Sequence, residues 1–178
     1  MVDRWRVGRL LGIEPPTFGG WALSADLALY LVHLVRDTRP MNVVELGAGS
    51  STIVLGHALK RFSPQGRLIS IEQDRAFLPD VRGLPVSIRI ALVADWYDHS
   101  VMQDLSHVDL LFVDGPRGGA RDDALPFFYE RLASPAFVVM DDVDREAGRR
   151  VFDTWSHEFS DFTAEYLPLE KGAAVFTR

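Results

Sequence analysis

Residues 43–51 read VVELGAGSS, and this stretch decides the fold. Its first four residues form a short run typical of a buried strand, and Gly47 and Gly49 then allow a tight turn. The residues that follow predict a helix over 50–61. A strand, a glycine turn and a helix in this order open a βα unit, and the free amides at the start of such a helix favour an anionic ligand group.

The alternation of strands and helices continues along the chain. Strands are predicted over 42–46, 67–72, 86–93, 108–114 and 136–140, and helices over 22–36, 50–61, 75–81, 122–132 and 144–159. Two closing strands over 162–169 and 173–177 are separated by three residues, a connection short enough to require an antiparallel hairpin. We therefore predict an α/β fold with a doubly wound, mostly parallel seven-stranded sheet that ends in an antiparallel C-terminal hairpin.

Composition and charge narrow the class of protein. The 178 residues are 47% hydrophobic and 25% charged, which suits one domain over 40–178 preceded by a helical extension or lid over 1–39. The net charge of −6 disfavours nucleic-acid binding. No apolar run suits a signal peptide or a membrane span, so we expect a cytoplasmic protein. The absence of cysteine excludes disulfides, thiolate zinc sites and cysteine nucleophiles.

Acidic residues stand at the ends of all five parallel strands. They are Glu45, Glu72, Asp95, Asp114 and the pair Asp141-Asp142. Any one of them has an ordinary explanation as a helix cap or a turn residue. Because the carboxyl ends of parallel strands meet at one edge of the sheet, the whole set is expected to converge on one ligand-binding crevice.

The glycine turn and the acids together indicate the kind of ligand. A nicotinamide fingerprint needs a third glycine at position 52, where this chain has threonine, and Glu45 would place negative charge beside a pyrophosphate. Glu72 lies 23 residues after Gly49, where an acid typically holds ribose hydroxyls. A nucleoside joined to a zwitterionic group fits both features, and S-adenosylmethionine is such a molecule.

At these positions the chain resembles the class I S-adenosylmethionine-dependent methyltransferases. The matching pieces are VELGAGSS at 44–51, IE at 71–72, AD at 94–95, FVDGP at 112–116 and MDD at 140–142. They cover about residues 40–178 and occur in the family's order. The resemblance implies a Rossmann-like sheet with an antiparallel seventh strand, so that 40–178 is the cofactor-binding methyltransferase domain.

The resemblance also implies roles for individual residues. It assigns to the cofactor Glu45, Gly47, Gly49, Ser50, Glu72, Gln73, Asp95, Trp96 and Asp114. Glu45 is expected near the methionine amine, Glu72 at the ribose, and Asp114 beneath the methionine end. Gln73, Asp95 and Trp96 are expected at the adenine, although Trp96 is equally well explained as a packing residue.

Within this class, the acids of the fourth and fifth strands resemble those of the cation-dependent small-molecule O-methyltransferases. The resemblance implies a magnesium ion held by Asp114, Asp141 and Asp142, and carboxylates do suit a hard cation. The alternative is that Asp141 and Asp142 only cap the following helix. Reliance on a cation is therefore left open.

The catalytic base is less clear. The base positions of the related enzymes hold Pro116 and Arg117 here, and neither can accept a proton. We expect Asp114 and His99 to be the catalytic residues, with Asp144 and the neighbourhood of Arg145 as further candidates for the base.

Two loops flank the predicted site. Arg117 and Arg121, separated by glycines, form a basic loop that either anchors an acidic substrate group or is simply solvated. Residues 17–21 contain Phe18, two glycines and Trp21, and this segment either closes over the cofactor as a lid or packs onto the domain.

The predicted function is methyl transfer from S-adenosylmethionine to oxygen, or nitrogen, of a small-molecule acceptor, with or without a divalent cation. The alternative is a non-catalytic cofactor-binding module or partner subunit, and a NAD-dependent oxidoreductase is the third choice. A homodimer contact is conceivable through Trp5, Leu10 and Leu11 of the first helix.

Overall fold

The computed structural model describes residues 2–116 and 120–178. Its helices are α1 (Val2–Leu11), α2 (Ala25–Thr38), α3 (Ser50–Phe62), α4 (Ala124–Phe128) and α5 (Glu146–Glu158). Its strands are β1 (Asn42–Leu46), β2 (Arg67–Glu72), β3 (Val86–Ile90), β4 (Val108–Val113), β5 (Leu132–Asp141), β6 (Thr163–Leu167) and β7 (Ala173–Thr177).

The strands form one sheet in the order β3-β2-β1-β4-β5-β7-β6. β1 to β5 pair in parallel, and β7 pairs antiparallel with both β5 and β6. The predicted fold class is therefore confirmed. The strand order reverses between β1 and β4, which is where an open α/β sheet offers a crevice for a ligand.

Helices cover both faces of the sheet, and the two faces hold separate apolar clusters. Alternate residues of each central strand point to opposite faces, so Val43 and Phe112 pack with α1, α2 and α3, whereas Val44 and Leu111 pack with α4 and α5. The near-continuous apolar runs of β1 and β4 are explained by this burial on both sides.

The edge near β3 departs from the prediction. The helix predicted over 75–81 is one 3-10 turn at Arg75–Phe77, and Leu78 is extended because Pro79 follows it. β3 ends at Ile90 rather than at 93, and only a 3-10 turn at His99–Met102 stands between β3 and β4. The helix predicted over 122–132 is also shorter, because β5 already begins at Leu132.

The N-terminal residues contribute to the core. The buried stripe of α2 includes Leu27, Leu31 and Val35, and it packs in the same cluster as α3. Leu11 is buried in that cluster and Leu10 is partly buried against it, so Trp5 and part of Leu10 remain exposed, and the dimer contact stays a prediction. None of the helices in the described ranges is long and apolar enough to cross a membrane.

Candidate active site

A cavity of about 360 Å³ opens at the carboxyl ends of β1, β2 and β4. It is lined by the β1 turn, the end of β2, the end of β4, the start of α5 and one residue that precedes α2. The lining residues are Trp21, Gly47, Ala48, Glu72, Gln73, Phe77, Tyr97, Asp114, Gly115, Pro116, Arg121, Asp142, Arg145, Ala147, Gly148 and Val151.

The turn after β1 depends on glycine at position 47. Gly47 has a φ of 95°, and a Cβ built on it would lie 3.0 Å from the backbone nitrogen of Gly115. The two loops after β1 and β4 therefore touch through their backbones, which only glycine allows. Gly49 donates its N–H to Thr52 Oγ1 at 2.9 Å, so the threonine at the missing third-glycine position fixes the end of the turn.

Glu45 supports this turn from below rather than facing the cavity. Its side chain is fully buried and Oε2 accepts hydrogen bonds of 2.6 Å from the hydroxyls of Thr52 and Ser70. Burial raises the pKa of Glu45 to about 7, although its hydroxyl partners oppose the shift. Glu45 does not line the cavity in this structure, and the role predicted for it, beside a ligand amine, stays a prediction.

Glu72 does line the cavity, and backbone amides hold its carboxylate in place. Oε1 accepts from the N–H groups of Gln73 and Asp74 at 2.7 Å each, and Oε2 accepts from that of Ala48 at 2.8 Å. The last bond joins the end of β2 to the glycine turn. Glu72 and Gln73 therefore line the cavity together with Gly47, and their predicted contacts with the ribose and the adenine stay predictions.

The three acids predicted as metal ligands come together at the ends of β4 and β5, where Asp114 and Asp142 form a second wall of the cavity. One carboxylate oxygen from each of Asp114, Asp141 and Asp142 lies within 4.8 Å of the other two. Asp141 Oδ1 accepts from the backbone N–H of Asp142 at 2.7 Å. The other oxygen of Asp141, Oδ2, and Oδ1 of Asp142 are buried without a hydrogen-bond partner. Burial raises the pKa of Asp114 and of Asp141. The charges of Asp141 and Asp142 raise the pKa of Asp114 further, and the charge of Asp142 raises that of Asp141.

Arg121 lies inside this acid cluster, not in a solvated loop. Its Nη2 lies 3.0 Å from Asp114 Oδ1 and 3.3 Å from Asp142 Oδ2, and its Nη1 donates to the carbonyl of Asp141 at 2.7 Å. Acids of the protein already pair with its guanidinium, so the alternative of a solvated side chain does not apply to Arg121, and its role as an anchor for an acidic substrate group stays a prediction. Arg117 and the two glycines that follow it lie outside the described residues.

The loop after β3 brings in a different residue from those predicted. Asp95 is exposed, and Trp96 is buried against Tyr97 and Phe127, outside the cavity. His99 is exposed and packs on Phe127, with ring centroids 4.8 Å apart, so neither its predicted catalytic role nor the adenine role of Asp95 and Trp96 is supported.

Tyr97 lines the cavity in their place, and its burial raises the pKa of its phenol. A local bridge between Val93 and Tyr97 turns the loop back towards the sheet and directs this ring inward. The sequence reasoning missed Tyr97, and its only signal was an aromatic side chain next to the predicted Trp96.

The segment before α2 places Trp21 at the mouth of the cavity. Its ring is 85% exposed, and the guanidinium of Arg145 lies 5.8 Å from the ring centroid. Ser50 Oγ, which the sequence assigned to the cofactor, accepts instead from the N–H of Leu23 at 3.1 Å and does not line the cavity. Phe18 packs on the core, so Trp21 alone of this aromatic pair faces the site.

Asp144, the other candidate base, also lies outside the cavity. Its Oδ1 accepts from the hydroxyl of Tyr166 at 2.7 Å and pairs with Arg149 at 3.4 Å. Among the residues that the structure describes, the cavity is lined by neither lysine nor histidine. The ionisable groups that the described residues bring to the cavity are two guanidinium groups, the phenol of Tyr97, and the carboxyl groups of Glu72, Asp114 and Asp142.

The sheet order, the glycine turn with its acid at the end of β2, and the cavity between them define a methyltransferase-type α/β protein. Residues 44–143 match the protein family described as a methyltransferase domain. This match spans more than half of the 178 residues, so the chain belongs to that family, which confirms the predicted enzyme class. The third choice, a NAD-dependent oxidoreductase, is therefore wrong.

Solved structures share the fold at low sequence identity. A putative O-methyltransferase from Klebsiella pneumoniae has a TM-score of 0.73 at 18% identity, over 98% of this chain and 89% of that one. An O-methyltransferase from Bacillus cereus in complex with SAH has a TM-score of 0.71 at 17% identity, over 100% and 91%.

A third similar structure is the O-methyltransferase TomG from Streptomyces achromogenes, in complex with SAM and involved in tomaymycin synthesis. It has a TM-score of 0.69 at 22% identity, over 99% of this chain and 87% of that one. No curated protein matches the sequence. At these identities the structural likeness establishes the fold, and the site has to be argued from this chain's own residues.

Proposed function

We propose that this methyltransferase transfers the methyl group of S-adenosylmethionine to a hydroxyl oxygen of a small molecule. One observation carries the proposal. A single cavity joins the glycine turn and Glu72 on one wall to the acid cluster and Trp21 on the other. The first wall suits a nucleoside cofactor, and the second leaves a place for an acceptor.

The cofactor wall is already organised. The carboxylate of Glu72 is fixed by three backbone N–H groups, so it can accept hydrogen bonds from ribose hydroxyls without rearranging. Gly47 and Ala48 present backbone next to it, which lets the ligand approach closely. S-Adenosylhomocysteine has the same nucleoside and amino-acid groups, so it is expected to bind the same wall.

The reaction is an in-line displacement at the sulfonium methyl. The acceptor oxygen forms a bond to the methyl carbon, the carbon–sulfur bond breaks, and sulfur keeps its electron pair. The hydroxyl proton leaves to a carboxylate of the acid wall or to water. Much of the acceleration comes from holding the two reactants in line, so this chemistry asks little of a dedicated base.

The acid cluster fits a divalent cation. Asp141 Oδ2 and Asp142 Oδ1 are buried without a hydrogen-bond partner. Carboxylate oxygens of this kind are the ligands that a hard divalent cation prefers. Asp114, Asp141 and Asp142 would hold it. Such an ion, when bound, orients an acceptor oxygen and lowers the pKa of its hydroxyl. This pairing favours oxygen over nitrogen as the methylated atom.

Trp21 and Arg145 favour a particular chemical class of acceptor. The indole is largely exposed at the mouth, and the guanidinium beside it stays positive. A flat aromatic acceptor can stack on the indole, so phenolic compounds are the first class to try.

The proposal is tested by calorimetric titration with S-adenosylmethionine, S-adenosylhomocysteine and NAD, followed by a methyl-transfer assay. We expect both adenosyl ligands to bind and NAD not to bind. Release of S-adenosylhomocysteine should then depend on an added phenolic acceptor such as catechol. Cofactor binding without methyl transfer to any hydroxyl compound would favour the alternative, a non-catalytic cofactor-binding module. Absence of cofactor binding would refute the proposal.

A further inference from the structure

The guanidinium of Arg121 contacts all three residues of the acid cluster. Nη2 lies within 3.3 Å of carboxylate oxygens of Asp114 and Asp142, and also donates to the carbonyl of Asp114 at 2.7 Å. Nη1 donates to the carbonyl of Asp141. Arg121 therefore ties together the carboxyl ends of β4 and β5, and its side chain is only 11% exposed.

The charges at this wall are unequal. Three carboxylates face one buried guanidinium, which cannot lose its proton. Arg145 adds a second positive group on Asp142, at 3.2 Å, but its side chain is 54% exposed and its charge is screened by water. The ammonium of Lys171 also acts on Asp114 and Asp141, without a direct ion pair to either. Arg121 thus offsets part of the negative charge while leaving Asp141 Oδ2 and Asp142 Oδ1 without partners.

We propose that Arg121 is the built-in counter-ion of the acid cluster, and that its charge sets how tightly the cluster binds a divalent cation. The arginine holds the acids together when no cation is bound. It also repels a cation that enters, because two positive charges then share a poorly solvated place. The inference rests on the cation-binding part of the proposed function.

This arrangement predicts that charge and geometry at position 121 act in opposite directions. Removing the positive charge should strengthen cation binding, whereas loosening the orientation of the ligands should weaken it. Arg121→Gln removes the charge and keeps a hydrogen-bonding group. Arg121→Lys keeps the charge and loses the planar fork. The pair of variants therefore separates a counter-ion from a purely structural clamp.

The experiment is a calorimetric titration of Mn²⁺, repeated with Mg²⁺, into the wild type and both variants. We expect Arg121→Gln to bind the cation at least about tenfold more tightly and Arg121→Lys to stay close to the wild type. Arg82→Gln is the matched control, because Arg82 pairs with Asp80 at an exposed position in the segment that precedes β3, at the other end of the sheet. Its cation affinity should not change.

A second comparison keeps the proposal testable if Arg121→Gln does not fold. Arg145→Gln removes the exposed guanidinium from the same Asp142 carboxylate, so it should strengthen cation binding by less than tenfold. Cation binding by Arg121→Gln that is equal to or weaker than that of the wild type overturns the proposal. Weaker binding by Arg145→Gln also overturns it, because that variant loses a positive charge from the same Asp142 carboxylate. A parallel titration with S-adenosylmethionine shows separately whether the proposed function stands.

Discussion

The two walls of the cavity treat their carboxylates differently. Glu72 is satisfied by three backbone N–H groups, whereas Asp141 and Asp142 each keep one buried oxygen without a partner. A carboxylate that backbone N–H groups already hold in place can accept hydrogen bonds from a neutral hydroxyl. A buried carboxylate oxygen without a partner is instead stabilised by gaining a proton or a cation. We infer that the carboxylate of the Glu72 wall has its hydrogen bonds before a ligand binds. The carboxylates of the acid wall gain their missing partners only when a ligand binds.

The largest expected effect comes from removing Glu72, the carboxylate whose hydrogen bonds are complete without a ligand. Glu72→Ala removes the carboxylate that we propose as the acceptor of ribose hydroxyls and releases the N–H of Ala48, so the affinity for S-adenosylmethionine should fall by about 100-fold or more. Isothermal titration measures this change. Glu158→Ala, at an exposed position at the end of α5, is the control and should bind like the wild type. If Glu72→Ala binds normally, the nucleoside does not lie on this wall.

The second prediction concerns Glu45, whose burial raises its pKa from 4.5 to about 7. Below pH 4.5 the carboxyl is protonated in both the folded and the unfolded chain, so folding carries no penalty. Between pH 4.5 and 7 the unfolded chain ionises first, so the folded state holds more protons and stability falls as pH rises. Above pH 7 the full penalty, roughly 3 kcal/mol, is present.

Glu45→Gln should therefore remove that part of the pH dependence. We expect the free energy of unfolding of the wild type to fall by roughly 3 kcal/mol more than that of the variant between pH 4.5 and 8. Urea unfolding at several pH values measures the difference, in which the other carboxyl groups cancel. Parallel curves for the two proteins would show that Glu45 is ionised in the folded state.

The sequence predicted the fold, the position of Glu72 and the convergence of the three acids, but not the burial of Arg121 or the position of Tyr97. β1, the glycine turn and Glu72 were predictable because a strand, a turn and the end of the next strand are read from neighbouring residues. The convergence of Asp114, Asp141 and Asp142 followed from strand direction alone, since parallel strands end at one edge.

The positions of Arg121 and Tyr97 were not predictable, because they follow neither from neighbouring residues nor from the direction of a strand. Arg121 lies seven residues after Asp114 in a glycine-containing loop, and nothing in that spacing says that the chain folds back to bury a guanidinium. Tyr97 faces the cavity only because β3 ends early and the loop after it forms a local bridge. Both depend on where an irregular segment turns, which the packing of the whole domain decides.

The third prediction tests the backbone contact that joins the two walls. Gly47 and Gly83 both have positive φ, at 95° and 75°, but a Cβ at Gly83 meets nothing within 4 Å. Gly83→Ala should cost about 1 kcal/mol of stability for its backbone alone, and Gly47→Ala about 2 kcal/mol more because it also presses on Gly115. Thermal or urea unfolding measures both. Equal costs would mean that the loops can separate without loss.

The smallest expected effect tests whether Trp21 contacts the acceptor rather than the cofactor. Trp21 and Trp5 are both exposed, by 85% and 67%, but only Trp21 lines the cavity. Trp21→Ala should raise KM for the best phenolic acceptor by about tenfold, the scale of one aromatic contact, while leaving the affinity for S-adenosylmethionine unchanged. Trp5→Ala should change neither quantity. A matching loss of cofactor affinity in Trp21→Ala would instead place the indole over the cofactor, and the acceptor would then have to enter from the side of Phe77.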